Sequence, residues 1–450
     1  MINKKRWAAA GALVASGAML AGVLTGCSSE AASDGPVQLK FLVYQQLRAD
    51  AAEKLIPEFE AAMAAKGTEV DIELVRENLD DTQFVTKATQ QFNAGTAPDI
   101  IDVNNPYVNG FAGAGYLLPL DDYLADWSEW DDYYPVVKEA VTAVDGQTYA
   151  LPHEASVQSF FYRADVLKEL GIDTSQPETW DDMVARLKEI TAKTGGPSLT
   201  LPAGKAWGGG TWAESVRNVI MGDGPIYDEK TKTWTVASDG WTQTFELYDQ
   251  LVDEGLLPVK DLLNPNPWEP TKYVAFPEGT IPVAAQGTWG WKYDWGPEGS
   301  APIENVTEKV ATWQYPAFSA GGDPYSTLAV GNTYVVNADT KYPDVAVEFA
   351  KWMSSGEAMA QQLVAVGAGA PRTGIEDISP YAENEQLRAA EAEIENATPV
   401  PTADGVEKLS QAAQIATEGI LTGKLDGAQA AAEFAKQATD LLGKDKVATK

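Results

Sequence analysis

The sequence predicts an α/β protein, and three stretches near its start carry the prediction. Leu39-Lys40-Phe41-Leu42-Val43-Tyr44 is a short run rich in β-formers. A helical stretch follows with Leu55, Ile56, Phe59, Ala62 and Met63 on one face, and Val70 to Val75 then alternates with period two. Strand, helix, strand opens a βαβ unit and predicts a largely parallel sheet. An amphipathic segment from Phe84 to Phe92 and a third strand, Asp99-Ile100-Ile101-Asp102-Val103, continue the pattern. Pro177-Glu178-Thr179-Trp180-Asp181-Asp182 starts a helix: Thr179 is the N-cap, Asp182 stands three residues on, and Met183, Leu187 and Ile190 share a face. Trp180 belongs to this helix start and is expected in the core. Pro343 opens a helix carrying Ala346, Phe349, Ala350 and Met353, and Asp426 opens another through Ala431, Ala435 and Leu442.

A chain of 450 residues suggests two or three domains. With 44% hydrophobic and 22% charged residues it has the composition of a folded soluble body. A net charge of −32 and a pI near 4.3 leave no phosphate-neutralising surface, so nucleic acid is excluded as a partner. One cysteine, Cys27, and one histidine, His153, rule out disulfide frameworks, thiolate zinc sites, paired-His metal sites and a Cys–His dyad. No metal and no cofactor is expected. The 14 tryptophans are large amphipathic rings that either pack in a core or face a ligand. No Gly-x-Ser-x-Gly elbow or phosphate loop is present, and Gly208-Gly209-Gly210 reads as a flexible bend.

Residues 1–26 read as a signal peptide: Lys4, Lys5 and Arg6 precede an uncharged stretch from Trp7 to Thr25. Leu24-Thr25-Gly26-Cys27 resembles the bacterial lipoprotein signal, in which the cysteine becomes the lipidated first residue. Residues 27–36 then form a flexible tether. Losing the three leader cations takes the charge from −32 to −35, and a body this acidic stays at an anionic membrane only through its acyl chains.

Four segments together resemble one family. Asn93-Ala94-Gly95-Thr96-Ala97-Pro98-Asp99-Ile100 is similar to the strand entry of extracellular carbohydrate-binding proteins of ABC transporters, the maltose-binding-protein-like family 1. Gly115-Tyr116-Leu117-Leu118-Pro119-Leu120 follows. Then come Gly146-Gln147-Thr148-Tyr149-Ala150-Leu151-Pro152 with Phe161-Tyr162-Arg163-Ala164-Asp165 and Pro177-Glu178-Thr179-Trp180, and finally Gln286-Gly287-Thr288-Trp289-Gly290-Trp291. Arg163 stands where the family usually has Asn.

The resemblance implies the two-lobed periplasmic-binding-protein type II fold, with the ligand cleft between α/β lobes joined by three hinge crossings. These are expected near His153-Glu154-Ala155, Gly321 to Tyr325, and Arg372. Residues 37–153 and 322–372 would form the N-terminal lobe, and 154–321 and 373–445 the C-terminal lobe. It also implies a monomeric solute-binding lipoprotein on the extracellular face of the cell membrane. There it captures a carbohydrate by lobe closure and delivers it to ABC permease subunits without catalysis. Two other readings stay open. One is a secreted lyase or glycosidase using Glu154 and a neighbouring Asp. The other is a binding protein for a non-sugar solute such as a polyamine or phosphorylated polyol.

A sugar offers apolar C–H faces and a rim of hydroxyls, so its site needs aromatic plates and planar donors and acceptors. The loop after the first strand supplies Tyr44, Gln45, Gln46 and Arg48, beyond the carboxyl end of a strand where open α/β sheets bind ligands. The glutamines read equally as a solvated turn. Asp102, Asn104 and Asn105 hold the equivalent position after the third strand, or cap the next helix. Glu154 resembles a family hydroxyl acceptor, with a hinge salt bridge as the other reading, and His153 reads as a packed hinge residue. Trp289 is the candidate stacking plate, Trp291 reads as core, Trp212 is a second candidate plate, and Arg372 is either a ligand contact or a tie between lobes.

Overall fold

The computed structural model describes residues 35–449 apart from 80, 144, 229, 319, 320, 402 and 404, so the leader and the lipidation expectation at Cys27 lie outside the described residues. The strands among them are, in chain order, β1 (Val37–Val43), β2 (Val70–Arg76), β3 (Ile100–Asn104), β4 (Ala150–Pro152), β5 (Ala155–Arg163), β6 (Leu199–Thr200) and β7 (Tyr227–Asp228). They continue with β8 (Thr233–Ala237), β9 (Val283–Gly287), β10 (Val310–Trp313), β11 (Thr327–Val330), β12 (Asn332–Val336), β13 (Thr398–Pro399) and β14 (Val447–Thr449).

The first sheet is ordered β2-β1-β3-β12-β4, and the second β13-β11-β5-β9-β6 with β10 also on β5; β14-β8-β7 form a small third sheet. In the first sheet β1 is parallel to β2 and β3, and only β12 runs against its neighbours. In the second, β5 runs against β9, β10 and β11, while β6 and β13 follow the majority direction. Each sheet is therefore largely parallel with one reversed strand. Both reversed strands sit at a passage between the sheets: β5 follows β4 of the first sheet after two residues, and β12 follows β11 of the second after one.

Local signals in the sequence fold as their chemistry dictates. The helix Gln46–Ala65 buries Leu55, Ile56, Phe59 and Met63. At Trp180–Thr194 the Thr179 hydroxyl accepts from the Asp182 N–H and the Asp182 carboxylate accepts from the Thr179 N–H, and Gly195 ends the helix at φ 76°. Asp426 and Gln429 make the same reciprocal pair at Gly427–Leu442. Trp180 packs edge-on against Phe160, as expected of a core ring.

One core lies around the first sheet and a second around helices such as Asp239–Asp253, Val406–Leu421 and Gly427–Leu442. The first passage between sheets falls at His153-Glu154, between β4 and β5. The second falls at Gly331 instead of Gly321–Tyr325, because Thr327–Val330 still pairs with β5 and Tyr325 pairs with Tyr315. Residues 375–397, beyond the third crossing expected near Arg372, touch both sides: Tyr134 donates to Glu391, and Ser159 and Ser326 donate to Glu393.

Candidate ligand-binding site

A cavity of about 560 Å³ opens where the two sheets meet, within the range of small-molecule sites. The first sheet contributes Tyr44, Gln45, Gln46 and Arg48 after β1 and Asn104 and Asn105 after β3. The crossings contribute Glu154, Gly331 and Asn332, and the second side Gln158, Arg217, Trp289 and Tyr293. The wall thus draws on strand ends and crossings, as parallel sheets dictate.

The two adjacent crossings are locked to each other. Glu154 takes both ends of the Arg48 guanidinium, Nη2 donating to Oε1 at 2.8 Å and Nη1 to Oε2, and Oε1 also accepts the Asn332 N–H at 2.8 Å. Burial alone would pull the Arg48 guanidinium down, but Glu154, Tyr293 and Asp102 outweigh it and the net shift is upward. Arg48 Nε donates to Gln45 Oε1 at 2.7 Å, which orients that amide. A Cβ at Gly331 would overlap the Glu154 carboxylate, so this position requires glycine for space.

The tryptophan loop is held from behind. Gln286 is buried and donates to Asp294, and Lys272 lies 3.3 Å from Asp294 and 3.9 Å from Glu214. Burial works against the Lys272 charge, yet the two carboxylates keep its ammonium raised. The Trp289 ring lies flat on Gly287, where any Cβ would strike it, and one face of the plate borders the cavity. A single wide π turn at Gly290–Asp294 then brings Tyr293 to the wall. Trp291 packs against Phe161, as read.

Three polar atoms at this wall are buried without a hydrogen-bond partner: Gln158 Oε1, Asn332 Nδ2 and Tyr293 Oη. An acceptor, a donor and a hydroxyl left unsatisfied cost free energy unless something in the cavity completes them.

Of the expected contacts, Tyr44, Gln45, Arg48, Asn104, Asn105, Glu154 and Trp289 meet at this cavity, and Asp102, Trp212 and Arg372 do not. Tyr44 stacks on Phe84 at 4.1 Å. The Asn105 amide donates to the Ala140 carbonyl. Asp102 sits behind the wall, 3.1 Å from His153 Nε2, and His153 stacks on Tyr334. Trp212 is core, 3% exposed and stacked on Trp241. Arg372 pairs with Glu129 and Asp132 and lies over the Tyr133 ring, within the first core's side of the molecule. Arg163 holds Asp165 with two nitrogens and caps the Phe276 carbonyl.

Sequence reading missed Gln158, Asn332, Tyr293 and Arg217. Neither Gln158 nor Arg217 stands out in sequence, because each has polar neighbours, Ser156 and Ser159 beside Gln158 and Ser215 and Asn218 beside Arg217.

Residues 46–360 match the family described as bacterial extracellular solute-binding protein. The chain belongs to that family. It is 26% identical over 295 residues to a maltotriose-binding protein of Pyrococcus abyssi, covering 65% of this chain but only 58% of that protein, less than two thirds of its length. An arabinooligosaccharide-binding protein of Halalkalibacterium halodurans is 22% identical over 319 residues, covering 70% of this chain and 67% of its own. Among solved structures, the GacH receptor of Streptomyces glaucescens superposes with a TM-score of 0.73 at 22% identity, over 91% of this chain and 100% of that one. The sugar-binding protein MalE of Xanthomonas citri gives 0.74 at 19%, over 91% and 98%. The fold is thus the two-lobed solute-binding type.

Proposed function

We propose that this protein captures an oligosaccharide in the cavity, closes its lobes on it and hands it to the permease of an ABC importer, without chemical turnover. One observation carries the reading: the Trp289 plate faces a cavity rimmed by the orphaned Gln158, Asn332 and Tyr293 groups, an apolar surface plus unfilled hydrogen bonds, which is the chemistry of a sugar ring. The lobes we propose are residues 37–153 with 332–372, and 154–330 with 403–445. Because the wall draws on both, a ligand filling it favours the closed arrangement.

Glu154, the residue a glycosidase reading would use, is committed to Arg48 and the Asn332 N–H, which supports binding over catalysis. We further propose attachment to the outer face of the cell membrane through Cys27. Wild-type protein then partitions into detergent and Cys27→Ser does not; equal partitioning removes the anchor.

The function is tested by a thermal-shift panel of neutral oligosaccharides, acidic sugars, polyamines and polyols. A ligand at 100 times its Kd stabilises by about 2.7 kcal/mol. Stabilisation by a saccharide, with the sugar recovered intact, is the expected result; stabilisation by a polyamine alone, or cleaved sugar, contradicts it.

A further inference from the structure

Arg217 is a buried cation without a counter-charge. The residue is 8% exposed, Nη2 donates to the Ala213 carbonyl at 2.8 Å and Nε to Asn218 Oδ1 at 3.3 Å, and among the described residues none accepts from Nη1. Among the described residues no carboxylate lies within ion-pair distance of it. Burial pulls its guanidinium down to about 10, with only Tyr315 opposing, so it remains charged at neutral pH.

Its place in the fold gives that charge a direction. Arg217 borders the cavity already described and also a second chamber of about 350 Å³, which shares Pro106 and Val400 with the first. The charged side chains on the first chamber's wall are Arg48, Glu154 and Arg217. Arg48 and Glu154 neutralise each other, which leaves one positive charge at the junction. The second chamber adds Glu407, an exposed residue that makes no ion pair with Arg217. In a chain of net charge −32, with carboxylates everywhere else, a guanidinium kept apart from all of them is costly unless an anion completes it.

We propose that the ligand is an acidic saccharide, whose carboxylate or phosphate is held by Arg217 at the junction of the two chambers. This rests on the carbohydrate reading above and narrows it. A planar guanidinium takes either oxyanion through two parallel N–H bonds, so the same site accepts a uronic acid or a sugar phosphate.

The test offers mature wild-type protein a pool of neutral oligosaccharides, uronic-acid oligosaccharides, sugar phosphates and simple polycarboxylic acids, and identifies what co-elutes by mass spectrometry. An acidic saccharide is expected, and its class distinguishes carboxylate from phosphate. Neutral sugars alone would overturn this proposal and leave the carbohydrate reading intact. A polycarboxylic acid alone would overturn the carbohydrate reading and keep an anion at Arg217. Nothing retained would overturn both.

Affinity for the recovered acidic ligand should fall roughly 10- to 100-fold in Arg217→Gln and less in Arg217→Lys, while a neutral analogue changes less than about threefold. Equal losses for both ligands would mean that Arg217 only shapes the wall. On the wild type alone, a neutral ester or amide of the recovered ligand should bind roughly 10-fold or more weakly, which keeps the test valid if the variants fold poorly.

Discussion

Glu154 and Arg48 form a two-pronged ion pair across the mouth of the first crossing, with Nη2 and Oε1 2.8 Å apart and both side chains almost wholly buried. The pair joins the helix after β1 to the strand connection at residue 154, and through Asn332 to the second crossing. A carboxylate so occupied is a structural anchor for the hinge.

Removing one partner therefore leaves a buried charge alone. Glu154→Gln should lose about 3–5 kcal/mol of stability in urea denaturation. A loss below about 1 kcal/mol would mean that water replaces the pair.

Gly331→Ala acts on the same lock from the other side. Its methyl group would meet the Glu154 carboxylate, so we expect about 2 kcal/mol or more of destabilisation, with most of it absent when the change is made in Glu154→Ala. Additive losses would show the two crossings to be independent.

Trp289 is tested against Trp180. A sugar face covering about 60–100 Å² of the Trp289 ring is worth about 1.5–2.5 kcal/mol, so Trp289→Ala should lose roughly 10- to 60-fold in affinity. Trp180, packed on Phe160, should instead lose about 3–5 kcal/mol of stability on truncation, with affinity nearly unchanged in the folded protein. A reversal would exchange core and cleft.

Burial pushes the Glu391 carboxyl up to about 7; the Tyr134 hydroxyl, donating to Oε1 at 3.1 Å, pulls against this and Glu376 adds to it. In the unfolded chain the group ionises near about 4.3. Between those values the folded state keeps a proton that the unfolded state has lost, so this residue's contribution to stability falls as pH rises through 7. Glu391→Gln should be the more stable form at pH 8, with the gain shrinking toward pH 5. A gain independent of pH would locate its origin elsewhere.

Much of the fold was legible because its signals are local: the period-two run at Val70–Val75, the Thr179–Asp182 capping box and the apolar face of Gln46–Ala65 are each written in residues close together in the chain. The crossings were less so. Gly331 is set by the distant Glu154 carboxylate, and the segment 375–397 makes long-range contacts to both sides. In the site, the loops after β1 and β3 were readable because strand ends in α/β sheets point to ligands. Trp212 was misplaced because an indole in a core and an indole in a cleft look alike in sequence; its stack on Trp241 decides. Arg217 follows a π turn and Tyr293 lies within one, and such a turn shifts the helical phase in a way no 3.6-residue pattern foretells.

The central claim is that groups from both lobes bind a saccharide and leave it unchanged. The most direct measurement is a calorimetric titration of mature protein with the recovered saccharide, comparing wild type with a Trp289→Ala/Gln158→Ala variant and analysing the sugar afterwards. The account predicts one site per chain, affinity reduced by at least about tenfold in the variant, and an intact ligand. Unchanged affinity in the variant, or a hydrolysed or unsaturated product, would contradict it.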